Sequence, residues 1–151
     1  MPGIIVGIDG SGHSQLALEW ALKEAALRRV PVTVVAVHEA VRGFFSGPTV
    51  YSGAGAGGDP EQTEHAQAAA REETEKVLAT LGDDRPESVT IHTVHGFPVE
   101  EILKAGQDAE LIVVGSRGAG GFARLTMGSV AYQVSEHAPC PVTIVRPPHH
   151  D

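Results

Sequence analysis

The chain is punctuated by short, nearly uninterrupted apolar runs, and these restrict its fold more than any other feature. "GIIVGID" (3–9) is apolar up to a terminal aspartate, and "VPVTVVAVHEA" holds a β-branched run from Val32 to about Val37. "AELIVVG" is almost wholly apolar at Leu111 to Val114, and "PVTIVRP" supplies a last run. Such runs read as strands buried on both faces. "SVTIHTVHG" instead alternates, which predicts a strand with one wetter face near a sheet edge.

Helical segments lie between these runs. In "SGHSQLALEWALKEAALRR", Ala17, Leu18, Ala21, Leu22 and Ala25 form one stripe. Ser11 or Ser14 suits the start of that helix, and Arg28 and Arg29 suit its negative end. A polar, alanine-rich helix is predicted from about Glu61 to Leu81, with Gly82 as its stop. "PVEEILKAGQ" predicts a short helix with Pro98 in the first turn, and "SVAYQVSEHA" one that ends before Pro139. Five strands alternating with four helices imply an α/β three-layer sandwich: an open, mostly parallel five-stranded sheet with helices on both faces. Ligands bind such sheets beyond the strand C-termini, where strand order reverses. Asp9, Val37 and Gly115 sit at three such ends.

A chain of 151 residues fits one domain, 1–151, with room for a single core. "GFFSGPTVYSGAGAGGDP" (43–60) loses all periodicity and is expected to form a long, flexible glycine-rich loop. A net charge of -8 argues against nucleic acid or anionic membrane as partners. No apolar run approaches the ~20 residues of a membrane span. "MPGIIVGIDG" lacks the features of a signal peptide. The single Cys140 excludes an internal disulfide, so a cytoplasmic setting is expected. Lying between Pro139 and Pro141, that cysteine reads as a packed small residue rather than a nucleophile.

The segment after the fourth strand, "GSRGAGGFARLTMGS" (115–129), carries the chemistry. Its spacing is G-x2-G-x9-G-S, through Gly115, Gly118, Gly128 and Ser129. A backbone without Cβ can turn its N–H groups inward and admit an oxygen anion closely. Gly128 and Ser129 open the last helix, whose free amides and positive dipole end favour an anion. Arg117 and Arg124 add positive charge, and no Asp or Glu occurs from Leu111 to Ser135. The pattern is that of a polyphosphate site. The P-loop lysine is missing. Gly118, Gly120 and Ala123 match G-x-G-x-x-A, but after the fourth strand and without opening a helix directly. Gly10 and Gly12 with Glu39 are a second partial match, in which Gln15 spoils the third small position. A dinucleotide (NAD)-binding module stands as an alternative on those residues.

The spaced loop resembles the nucleotide-binding signature of the universal stress protein family, in its ATP-binding branch. "IIVGIDGSGHSQLALEWA", "VTVVAV", "GFP" and "APCPVTIV" are similar to that family too, so the resemblance covers nearly the whole chain outside 43–60. It implies the adenine nucleotide alpha hydrolase-like fold, an ATP ligand and a homodimer formed through the last strand, "VTIV" (142–145). By position, Asp9 matches the aspartate beside the ribose that helps hold a metal ion such as Mg2+. Val37 matches the residue whose backbone reads the adenine edge, and Gly7 a base-side position. Gly115 matches the ribose-side glycine, with Val114 beside it. Gly118, Gly128 and Ser129 match the phosphate cradle; Val130 adds a helix-start amide and Arg117 a basic group.

The resemblance thus implies an ATP-binding regulatory protein of the stress response, signalling through an unidentified protein partner. Phosphoryl transfer needs a residue that positions a nucleophile, and no residue is marked for it. His38 follows Val37 toward the crevice but reads as a solvated or packing residue, and His92 and His95 lack clear metal-site spacing. A slow ATP hydrolase or phosphotransferase is one alternative, and a dimeric interaction protein without nucleotide another.

Overall fold

The computed structural model describes residues 3–9, 12–39, 60–117 and 127–148, with the backbone alone at 38, 39, 60 and 62. Its strands are β1 (Ile4–Ile8), β2 (Val32–Glu39), β3 (Val89–Gly96), β4 (Leu111–Gly115) and β5 (Val142–Val145). Its helices are α1 (Gly12–Arg28), α2 (Pro60–Leu81), α3 (Pro98–Ala105) and α4 (Ser129–His137), with a 3-10 turn at Gly106–Asp108. The strands form one all-parallel sheet in the order β3-β2-β1-β4-β5. The expected α/β architecture is therefore present, with β3 on an edge as its alternation predicted.

Alternate strand residues feed two cores. Ile4, Val6 and Ile8 of β1, with Val32, Val34, Leu111 and Val113, face α1 and α2. There they meet Leu18 and Leu22 of α1 and Val77, Leu78 and Leu81 of α2. Ile5, Val35, Ile112 and Val114 face the other way, onto Ile102 of α3 and Ala131 and Val134 of α4. A strand buried on both faces has no polar side to show, which is why these runs lack alternation.

Gly82 ends α2 at φ +59°, a left-handed conformation that glycine adopts without steric cost. At the far end of α1, the Arg28 guanidinium reaches Glu24 at 2.8 Å and Glu110, just before β4, at 3.1 Å. Among the described residues, no helix is long and apolar enough to cross a membrane.

Successive strands run outward from β1 to β2 and β3, and the chain then returns to the other side of β1 as β4 and β5. Strand order thus reverses between β1 and β4. Helices on opposite faces diverge there, leaving a crevice at the strand C-termini.

Candidate nucleotide site at the strand C-termini

Three strand ends converge on this crevice. Asp9 follows β1 directly, Val37 lies near the end of β2, and Gly115 is the last residue of β4. The Asp9 amide donates to Ser14 Oγ at 3.2 Å, folding the β1–α1 turn back on itself. Ser14 is buried inside the first turn of α1 rather than capping it, and Ser11 lies outside the described residues. Gly115 is pressed against that turn: a Cβ there would lie 2.7 Å from the His13 carbonyl oxygen.

The β4–α4 side is tied together through Ser116, a buried residue that the sequence reading passed over. Its amide donates to the Val145 carbonyl at 3.0 Å, extending the β4–β5 ladder. Its own carbonyl accepts from the Gly128 amide at 2.7 Å, fixing the start of α4 beside the end of β4. Gly128 is extended, at φ -66° and ψ 159°, and Ser129 begins the helix as expected. The Gly128 amide is thus committed to Ser116. Amides in the opening turn of α4 have no carbonyl within the helix to bond, and they form its positive end. The exposed Ser129 hydroxyl oxygen accepts from Gln133 Nε2 at 2.9 Å, which leaves its proton available to another acceptor.

Val114 is buried, and half-buried Val37 and Val130 pack against the same core. Gly7 is buried beneath α3, where a Cβ would meet Ile102 Cδ1 at 2.6 Å. The space that its missing side chain leaves is therefore taken by Ile102. Arg117 is half-buried just beyond β4. Gly118, Arg124 and the whole of 43–60 lie outside the described residues.

Asp9 and Val37 share a cavity of about 180 Å³ with Ile8, Ala36 and four residues of α2: Ala66, Ala69, Ala70 and Glu73. Sequence reasoning missed the contribution of α2, although the spacing 66, 69, 70, 73 marks one helical face. Burial, and then the negative charge of Asp9, push the Glu73 carboxyl above its ordinary value of 4.5, against a smaller opposing pull from Lys76. A carboxyl that holds its proton more tightly when folded weakens the fold as pH rises from that ordinary value through the raised one. Glu73→Gln is therefore expected to raise the thermal midpoint at about pH 7 and leave it unchanged at about pH 3.5. Melts at both pH values check this; an equal gain at both would mean that charge is not the cause.

Cys140 is half-buried, and burial pushes its thiol upward, against a smaller opposing effect of a hydrogen bond with the Ile112 backbone. Those surroundings suit packing, not nucleophilic attack. Among the described residues, no group of three or more His, Cys, Asp and Glu side chains stands where it would hold a metal ion.

A model of the universal stress protein family matches residues 2–146. The chain belongs to that family. Its similarity to a universal stress protein of Mycobacterium tuberculosis is 33% identity over 148 residues, 95% of this chain and 47% of the relative. The chain thus spans about half the length of the curated relatives it matches first. Among solved structures, a universal stress protein UspA from Lactobacillus plantarum superimposes with a TM-score of 0.75 at 24% identity. That match covers 96% of this chain and 97% of the other, and it establishes the shared fold. A universal stress protein from Archaeoglobus fulgidus in complex with dAMP is 26% identical, with a TM-score of 0.53. It covers 95% of this chain and 97% of its own.

Proposed function

We propose that this universal stress protein is an ATP-binding regulatory protein of the cytoplasmic stress response, holding its nucleotide at the C-terminal ends of β1, β2 and β4. One observation carries the reading: the positive end of α4 is fixed beside the end of β4, at the point where strand order reverses. The carboxylate-free loop 115–129 joins those two elements. In this reading Arg117, Gly118, Ser129 and Val130 receive the phosphates, and Gly115 lies on the ribose side. Gly128 shapes the turn and spends its own amide on Ser116.

Asp9 takes the sugar side and Val37 offers its backbone to the adenine. Val114 and Gly7 support them from the core beneath. Asp9 supplies carboxylate oxygens, the donor type that Mg2+ prefers, with too few protein ligands among the described residues for a closed site. Asp9 would hold the ion together with phosphate oxygens, and the ion would neutralise phosphate charge. The dAMP bound by the Archaeoglobus fulgidus relative supports an adenine nucleotide as the ligand class.

β5 lies at the sheet edge, and half-buried Val142, Ile144 and Val145 suit pairing with a second copy in a homodimer. In the full-length chain the bound nucleotide orders the 115–129 loop, which a regulatory protein partner then reads.

The test is direct. Denaturing the purified protein is expected to release ATP. The double change Gly118→Val, Ser129→Ala is expected to weaken ATP binding about 100-fold or more, as loss of phosphate contacts predicts. Calorimetric titration measures it, with circular dichroism confirming the retained fold. Undiminished affinity in a folded variant would mean that the loop does not hold the phosphates.

A further inference from the structure

The cavity between α2 and the ends of β1 and β2 contains a group whose bonding is incomplete. Glu73 Oε2 is shielded from solvent and meets no hydrogen-bond partner among the described residues. Apart from Asp9, the cavity's other lining residues are Ile8, Ala36, Val37 and three alanines of α2. A carboxylate is an acceptor only, and partly burying one beside a second carboxylate both costs stability and raises its proton affinity. A ligand that brings a hydroxyl donor would satisfy it.

Position narrows the donor. Neighbouring strands lie about 4.8 Å apart, so a nucleotide with its phosphates beyond β4 crosses β1 next and β2 after it. Its sugar then lies at Asp9, on the rim of the cavity. Its base reaches the apolar walls at Ala36 and Val37. Resting on the nucleotide reading above, we propose that Glu73 is a specificity-determining residue, its carboxylate accepting a hydrogen bond from the ribose 2′-hydroxyl and so selecting ribonucleotides over 2′-deoxyribonucleotides.

Calorimetric titration of the full chain with Mg·ATP and with Mg·2′-deoxy-ATP tests this. The wild type is expected to bind ATP about tenfold more tightly, as one hydrogen bond to a charged group predicts. In Glu73→Ala the two affinities become equal, through weaker ATP binding and unchanged deoxy-ATP binding. Glu73→Gln keeps an acceptor oxygen and the side-chain volume, so it retains part of the preference and guards against misfolding of the alanine variant. Equal wild-type affinities, or a preference that survives in both variants, would overturn the role of Glu73 while leaving nucleotide binding intact. A wild type that binds neither nucleotide would overturn the nucleotide reading and this inference with it.

Discussion

Gly115→Ala is expected to destabilise the protein by about 1–3 kcal/mol and to weaken ATP binding, as overpacking at a rigid contact predicts. The added carbon would lie 2.7 Å from the His13 carbonyl oxygen and 2.9 Å from its carbonyl carbon. Both atoms belong to the backbone of the first turn of α1, where no side-chain rotation can yield. Either β4 or α1 must move, which displaces the end of β4 at the proposed nucleotide site. Gly7→Ala is the informative contrast. Its new carbon would meet Cδ1 of Ile102, the far end of a side chain that can swing aside, so a smaller loss is expected. Denaturant unfolding of both variants, with ATP titration of each, measures the difference. Gly115→Ala unfolding at the wild-type midpoint would mean that α1 and β4 do not approach so closely.

Leu18→Ala is expected to cost about 3 kcal/mol, through lost transfer energy and the cavity left behind. Leu18 is fully buried on α1, in the core shared by β1, β2, β4 and α2. Against a total of roughly 5–15 kcal/mol for a domain of ordinary stability, the loss is a large fraction. Leu27, on the same helix but 80% exposed, provides the control: Leu27→Ala is expected to change stability by less than about 0.5 kcal/mol. Urea unfolding, with an unchanged denaturant slope, separates the two. Equal losses would mean that the two helix faces had been assigned wrongly.

The fold was largely legible because its driving force is local in the sequence. Runs such as Ile4–Ile8 and Leu111–Val114 are apolar throughout because helices cover both sides of the strands they form. β2 continues past Val37 to Glu39, a boundary set by pairing with His95 and Gly96 that its own residues do not announce. In the site, Gly128 and Ser129 were legible as a helix start because glycine and serine favour that position. The commitment of the Gly128 amide to Ser116 was not legible, since it depends on two loop ends meeting in space. The filling of the space above Gly7 by Ile102 is equally long-range. Glu73 escaped notice among the many charges of α2, although its distance from Ala66, Ala69 and Ala70 is a helical one. The expected loop at 43–60 and the roles of Gly118 and Arg124 rest on sequence.

The central place of β1 bears on how the polypeptide is made. Ile4 aligns with Leu111, roughly a hundred positions downstream, so β1 leaves the ribosome well before one of its two neighbours has been made. Its greasy flank toward β4 stays uncovered meanwhile. A nascent chain of this kind invites chaperone attention, and a pause in synthesis between β1 and β4 would prolong the exposure.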